Sequence, residues 1–89
     1  MYLAKSKAGH DKGDVYVVAA EDDTYVYLAN GTTKPLSHPK KKKKLHIQPI
    51  YHLPKEIEVL CAEEAGMDDV RVKRILKLYR REGSDPGSA

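Results

Sequence analysis

The residues of this chain whose types and spacing point to chemistry are cations, and the chemistry is contact with phosphate rather than bond making. The segment Lys7-Ala8-Gly9-His10-Asp11-Lys12-Gly13-Asp14 opens onto the apolar run Val15-Tyr16-Val17-Val18. Gly9 and Gly13 take positive φ at little steric cost, so the residues between them can turn a sharp corner with His10 and Lys12 at its tip. An ammonium or imidazole there reaches a phosphate. The second concentration of charge is Lys40, Lys41, Lys42, Lys43 and Lys44, followed by Leu45-His46. Five adjacent lysines are not expected in a packed strand, because alternate side chains would bury ammonium groups without compensation. The run is therefore expected to be solvated or phosphate-bound. If all five met single-stranded phosphates, log K would fall against log salt with a slope near −3.5, from about −0.7 per contact.

Charge is sorted along the chain more than the net value of +3 conveys. Between Thr24 and Lys55 there is no acidic residue, and Lys34, the lysine run, His38, His46 and His52 all fall there. Glu56, Glu58, Glu63, Glu64, Asp68 and Asp69 follow without a Lys or Arg, and Arg71, Lys73, Arg74, Lys77, Arg80 and Arg81 restore a basic segment. This segregation favours a polyanionic partner.

Other chemistries find no support. The four histidines match no zinc spacing, and Cys61 is the only cysteine, so neither a metal nor a disulfide framework is expected. Cys61 reads as a small apolar residue of a helix rather than a nucleophile. No Ser-His or Cys-His arrangement is indicated, so no enzymatic activity and no cofactor are expected. No run approaches the roughly 18 apolar residues of a membrane span, and Met1-Tyr2-Leu3-Ala4-Lys5 lacks the order of a signal peptide. The expectation is a cytoplasmic protein without membrane contact.

The elements that must carry these cations are short. Residues 2–6, 15–20 and 24–29 read as strands, and Asn30-Gly31 is a strong hairpin signal that predicts a returning strand from Thr32-Thr33. Pro35 places that strand on an edge or ends it early, and Leu45-His46-Ile47-Gln48 resumes apolar alternation until Pro49 stops it. With no Trp or Phe, some of the six tyrosines must lie inside. Tyr16 reads as structural, while Tyr25 and Tyr27 share one side of their strand and fit either core or stacking platform. From Pro54 the period becomes helical, with Ile57, Leu60, Cys61 and Ala65 on one face and Gly66 as a stop. Asp68 or Asp69 caps a second helix bearing Val72, Ile75, Leu76 and Tyr79, which Gly83 ends.

The loop, the strand after it, Tyr25-Val26-Tyr27-Leu28-Ala29-Asn30-Gly31 and the lysine run leading into Leu45-His46-Ile47-Gln48-Pro49 together resemble the KOW motif. The resemblance is specifically to small bacterial KOW-domain RNA-binding proteins that look like the large-subunit ribosomal protein of the L14e type. The likeness covers roughly residues 3–50, with Gly13 as the motif's glycine. It implies a mainly β fold, a five-stranded Src-homology-3-like barrel over residues 1–53, here followed by two C-terminal helices over 54–83 and a flexible tail at 84–89. It also implies contact with structured RNA, above all ribosomal RNA, beside ribosomal proteins. The expected contacts are Lys7, His10, Lys12, Lys34, Lys40, Lys41, Lys42, Lys43, Lys44 and His46. The alternative expectation is a protein-interaction module docking on a ribosome-associated or transcription factor through an exposed patch of Val72, Ile75, Leu76 and Tyr79.

Overall fold

A computed structural model describes residues 1–83; the expected tail at 84–89 lies outside them. Apolar alternation builds five strands: β1 (Tyr2–Ser6), β2 (Val15–Glu21), β3 (Tyr25–Ala29), β4 (Lys40–Lys43) and β5 (Ile47–Ile50). They pair antiparallel in the order β4-β3-β2-β1-β5. β4 and β5 are thus the outer strands, yet only the 3-10 turn Lys44–His46 joins them. So short a link obliges the sheet to curl, and a register shift between Val18 and Ala20 adds to the bend. The result is a curled half-barrel.

Alternation then divides the side chains between two cores. Ala4, Tyr16, Val18, Val26, Leu28 and Ile47 fill the inner face of the curl. Leu3, Val17 and Ala29 point the other way and pack with Ile57, Cys61, Val72, Ile75, Leu76 and Tyr79 of two helices, α1 (Lys55–Ala62) and α2 (Asp69–Leu78). Residues 1–53 and 54–83 therefore share a core. Pro54 stands at the start of α1, where a missing N–H costs nothing, and Glu56 and Glu58 favour its positive end. The Asp68 side chain caps α2 by accepting from the Arg71 amide at 2.8 Å. A π-helical turn, Tyr79–Gly83, continues α2 to the last described residue.

Several expectations are corrected. Asn30 does not take positive φ, so Asn30-Gly31 is not the type I′ turn that requires it at both positions. Instead Asn30 Oδ1 accepts from the amides of Thr32 at 2.9 Å and Lys34 at 2.8 Å, closing a local loop. The returning strand begins only at Lys40. The connection it leaves, residues 30–39, is fastened to α2, where the Leu36 amide donates to Asp69 Oδ1 at 2.8 Å. Pro49 lies within β5 rather than ending it, which an outer strand permits because one of its sides needs no ladder donor. α1 stops at Ala62, Ala65 is exposed, and Gly66 (φ +79) turns the chain between the helices. Val72, Ile75, Leu76 and Tyr79 are buried, so they form no exposed docking patch.

Candidate nucleic-acid interface

The loop between β1 and β2 is shaped by its two glycines, Gly9 at φ +88 and Gly13 at φ +94. Gly13 N–H donates to Ser6 O and Asp14 N–H to Asp11 O, both at 2.9 Å, closing the corner. His10 and Lys12 project outward and are exposed, as is Lys7. Asp11, between them in sequence, turns inward and is 9% exposed.

Asp11 is the hub of the site. Its Oδ1 accepts from Ser6 Oγ at 2.8 Å and from Lys42 Nζ at 2.6 Å. Its Oδ2 accepts from Tyr16 OH and Lys40 Nζ, both at 2.9 Å. Lys42 Nζ donates further to Ser6 Oγ and Ala8 O, both at 2.8 Å. Burial alone would raise the Asp11 carboxyl, but the hydrogen bonds from Lys42, Lys40, Ser6 and Tyr16 outweigh it and hold the group well below the usual carboxylate range. The same contact works the other way on Tyr16, whose phenol is pushed up first by burial and then by Asp11.

This cluster overturns the expectation that the lysine run cannot be a packed strand. Lys40 lies opposite Leu28 and Lys42 opposite Val26, so these two share the inner face of the curl. Their charge is met by a carboxylate from a distant segment. Lys41 lies opposite Tyr27 and Lys43 opposite Tyr25, and both lysines are exposed. Lys41 Nζ sits 4.1 Å from the centroid of the Tyr25 ring, a cation–π contact. Tyr25 and Tyr27 are thus on the outer face, and Tyr27 OH donates to Asp22 Oδ2 at 3.1 Å.

The remaining expected contacts are dispersed. Lys44 Nζ pairs with Glu21 Oε1 at 3.2 Å. His46 is drawn beside Lys7, whose amide donates to the His46 carbonyl at 2.8 Å. Lys34 stands on the connection held to α2, where its carbonyl accepts from the amides of Asn30 and Gly31. Of the ten residues expected to touch RNA, Lys40 and Lys42 are engaged within the protein, while Lys7, His10, Lys12, Lys41 and Lys43 face solvent. Asp11 escaped notice because a carboxylate among loop cations reads as solvated, and only folding brings β4 to it.

Among the described residues no group of three or more His, Cys, Asp or Glu is placed to hold a metal, and no helix is long and apolar enough to cross a membrane. No protein-family model and no curated protein matches this chain.

Proposed function

We propose that this chain is an RNA-binding module of the Src-homology-3-like KOW type, ribosome-associated and cytoplasmic, that contacts structured ribosomal RNA beside ribosomal proteins. The observation that carries the reading is the clamp of Asp11 on Lys40 and Lys42. It ties the glycine-flanked loop, with Lys12 and His10 at its tip, to the outer strand β4 that bears Lys41 and Lys43, so that both sets of cations are held on one rigid frame. Cations held on a rigid frame lose less freedom on binding than a floppy lysine tract would. Tyr25, beneath Lys41, holds that cation over its ring in a cation–π contact and so helps to position it. Phosphate contacts fix position without reading sequence, so discrimination rests on RNA shape.

With Lys40 and Lys42 engaged by Asp11, the cations offered to phosphate are Lys7, Lys12, Lys41 and Lys43. Four such contacts give a salt slope near −2.8, from about −0.7 each, shallower than five strand lysines would give. The test is fluorescence anisotropy of the chain with a labelled ribosomal RNA fragment across a salt series, beside duplex DNA of equal charge. Preference for the RNA with a slope at least that steep supports the reading. Equal affinity for the DNA, or no dependence on salt, overturns it.

A further inference from the structure

α2 carries a second set of cations along the flank of its buried stripe. Lys73 and Lys77 are four residues apart, so they lie along one helical face. That face borders a cleft of about 620 Å³, whose opposite wall is formed by Lys5 of β1, by Gly13 and Asp14 at the end of the 9–13 loop, and by Thr32 of the β3–β4 connection. Lys5 from one segment and Lys73 and Lys77 from a distant one therefore line one space, in which Asp14 is the carboxylate among the described lining residues. Lys5, Lys73 and Lys77 make no ion pair among the described residues.

The cleft is built rather than incidental. Gly31, between the lining residues Asn30 and Thr32, seats their connection on the helix: a Cβ there would lie 2.5 Å from Asp69 O and 2.7 Å from Lys73 Cγ, so only glycine lets the connection reach α2 and the stem of Lys73. On the opposite wall, a Cβ at Gly13 would meet nothing within 4 Å, leaving its backbone open. The volume falls within the roughly 300–1,000 Å³ of small-ligand pockets, room for a nucleotide unit rather than a bare ion.

We infer that this cleft is a phosphate-binding site for an RNA strand leaving the 9–13 loop, with Lys5, Lys73 and Lys77 as its cations. The inference rests on the RNA reading above and extends it. Gly13 is shared between loop and cleft, so a strand crossing the loop tip continues past Lys5 onto the basic face of α2. The interface then spans the β1–β2 loop and the helical extension, and the helix fixes the direction in which the strand runs.

The test compares the full-length chain with Lys73→Gln/Lys77→Gln, Lys73→Arg/Lys77→Arg and Lys12→Ala, each titrated with the same labelled RNA across salt and with adenosine monophosphate as a free-phosphate probe. Gln keeps the methylene stem beside Gly31, and circular dichroism melting verifies the fold of each variant. The double Gln variant is expected to lose roughly five- to tenfold in RNA affinity, the worth of two exposed ion pairs. Its salt slope is expected to become shallower by about 1.4, while the Arg variant retains both. Unchanged affinity and slope in the Gln variant, with loss in Lys12→Ala, overturns the cleft and leaves the RNA reading standing. So does binding of the monophosphate at the cleft without any loss of RNA affinity in the Gln variant, which would assign the cleft to a free nucleotide. Absence of RNA binding by the unaltered chain overturns both readings.

Discussion

Lys42 Nζ donates to Asp11 Oδ1 at 2.6 Å across 31 residues of sequence, and both side chains are about one-tenth exposed. This one ion pair joins the loop that turns β1 into β2 to the strand at the far edge of the sheet. It neutralises part of the lysine run and fixes the loop that presents His10 and Lys12. Stability and the proposed interface therefore depend on the same contact.

Breaking the pair from either side is expected to cost different amounts. Asp11→Asn leaves the nearly buried Lys42 ammonium without a counter-charge, a loss of about 3–5 kcal/mol. Lys42→Met removes the more buried cation while Lys40, Ser6 and Tyr16 still serve Asp11, so its cost is smaller. Urea unfolding of both single variants and the double variant should show a coupling of about 1–3 kcal/mol. Strict additivity would mean that the contact contributes nothing to stability.

Stability should fall on both sides of a broad plateau in pH. The folded Asp11 carboxyl lies well below its ordinary 3.8, so its contribution is complete above the unfolded value and lost as pH falls through the folded one. At the alkaline end, burial first and then Glu21 push the Tyr2 phenol from 10.0 up to about 12. A raised group stabilises the fold below its unfolded pKa, and that share is lost as pH rises from about 10 through 12. Thermal melts from pH 2 to pH 12 follow both limbs. The acid limb should flatten in Asp11→Asn, and an unaltered limb would assign it to other carboxylates.

Two glycines with similar backbone angles should respond unequally to alanine. Gly13→Ala, at φ +94 with open space around the new methyl, should cost about 1–2 kcal/mol for the left-handed conformation alone. Gly31→Ala, at φ +79, adds a collision with the Asp69 carbonyl and should cost more, about 3 kcal/mol or above. Comparison of Tm values decides it. Equal losses would mean that the connection does not rest on α2.

Removing residues from 54 onward should unfold the half-barrel. Leu3, Val17 and Ala29 would be left facing water in place of Ile57, Cys61, Val72 and Ile75. A chain of residues 1–53 is expected to show no cooperative melting, and Ile75→Ala in the full chain should cost about 2–5 kcal/mol in one transition. A separate sheet transition would show that the two parts are independent.

What the amino-acid order by itself determined are the features governed by neighbours a few residues apart. Alternation placed β1, β2 and β3, the helical period marked Val72, Ile75, Leu76 and Tyr79 as one apolar face, and Asp68 or Asp69 announced the start of α2. The two glycines marked the corner that exposes His10 and Lys12. Each rests on φ preference, side-chain direction or a local hydrogen bond, and these act within one turn or one strand.

Tertiary structure alone decided the rest. Asn30-Gly31 was drawn from its hairpin because α2 offers a closer partner, through Leu36 and Asp69, than any strand beginning at Thr32. Lys40 and Lys42 became inward strand residues because Asp11 arrives from the other side of the curl, and Lys5 came to face Lys73 and Lys77 because the helices cover that side of the sheet. The physical reason is common to all three. A charge is buried or left open according to what stands opposite it, and here the opposing group comes from a segment that only the closed sheet and its packed helices bring near.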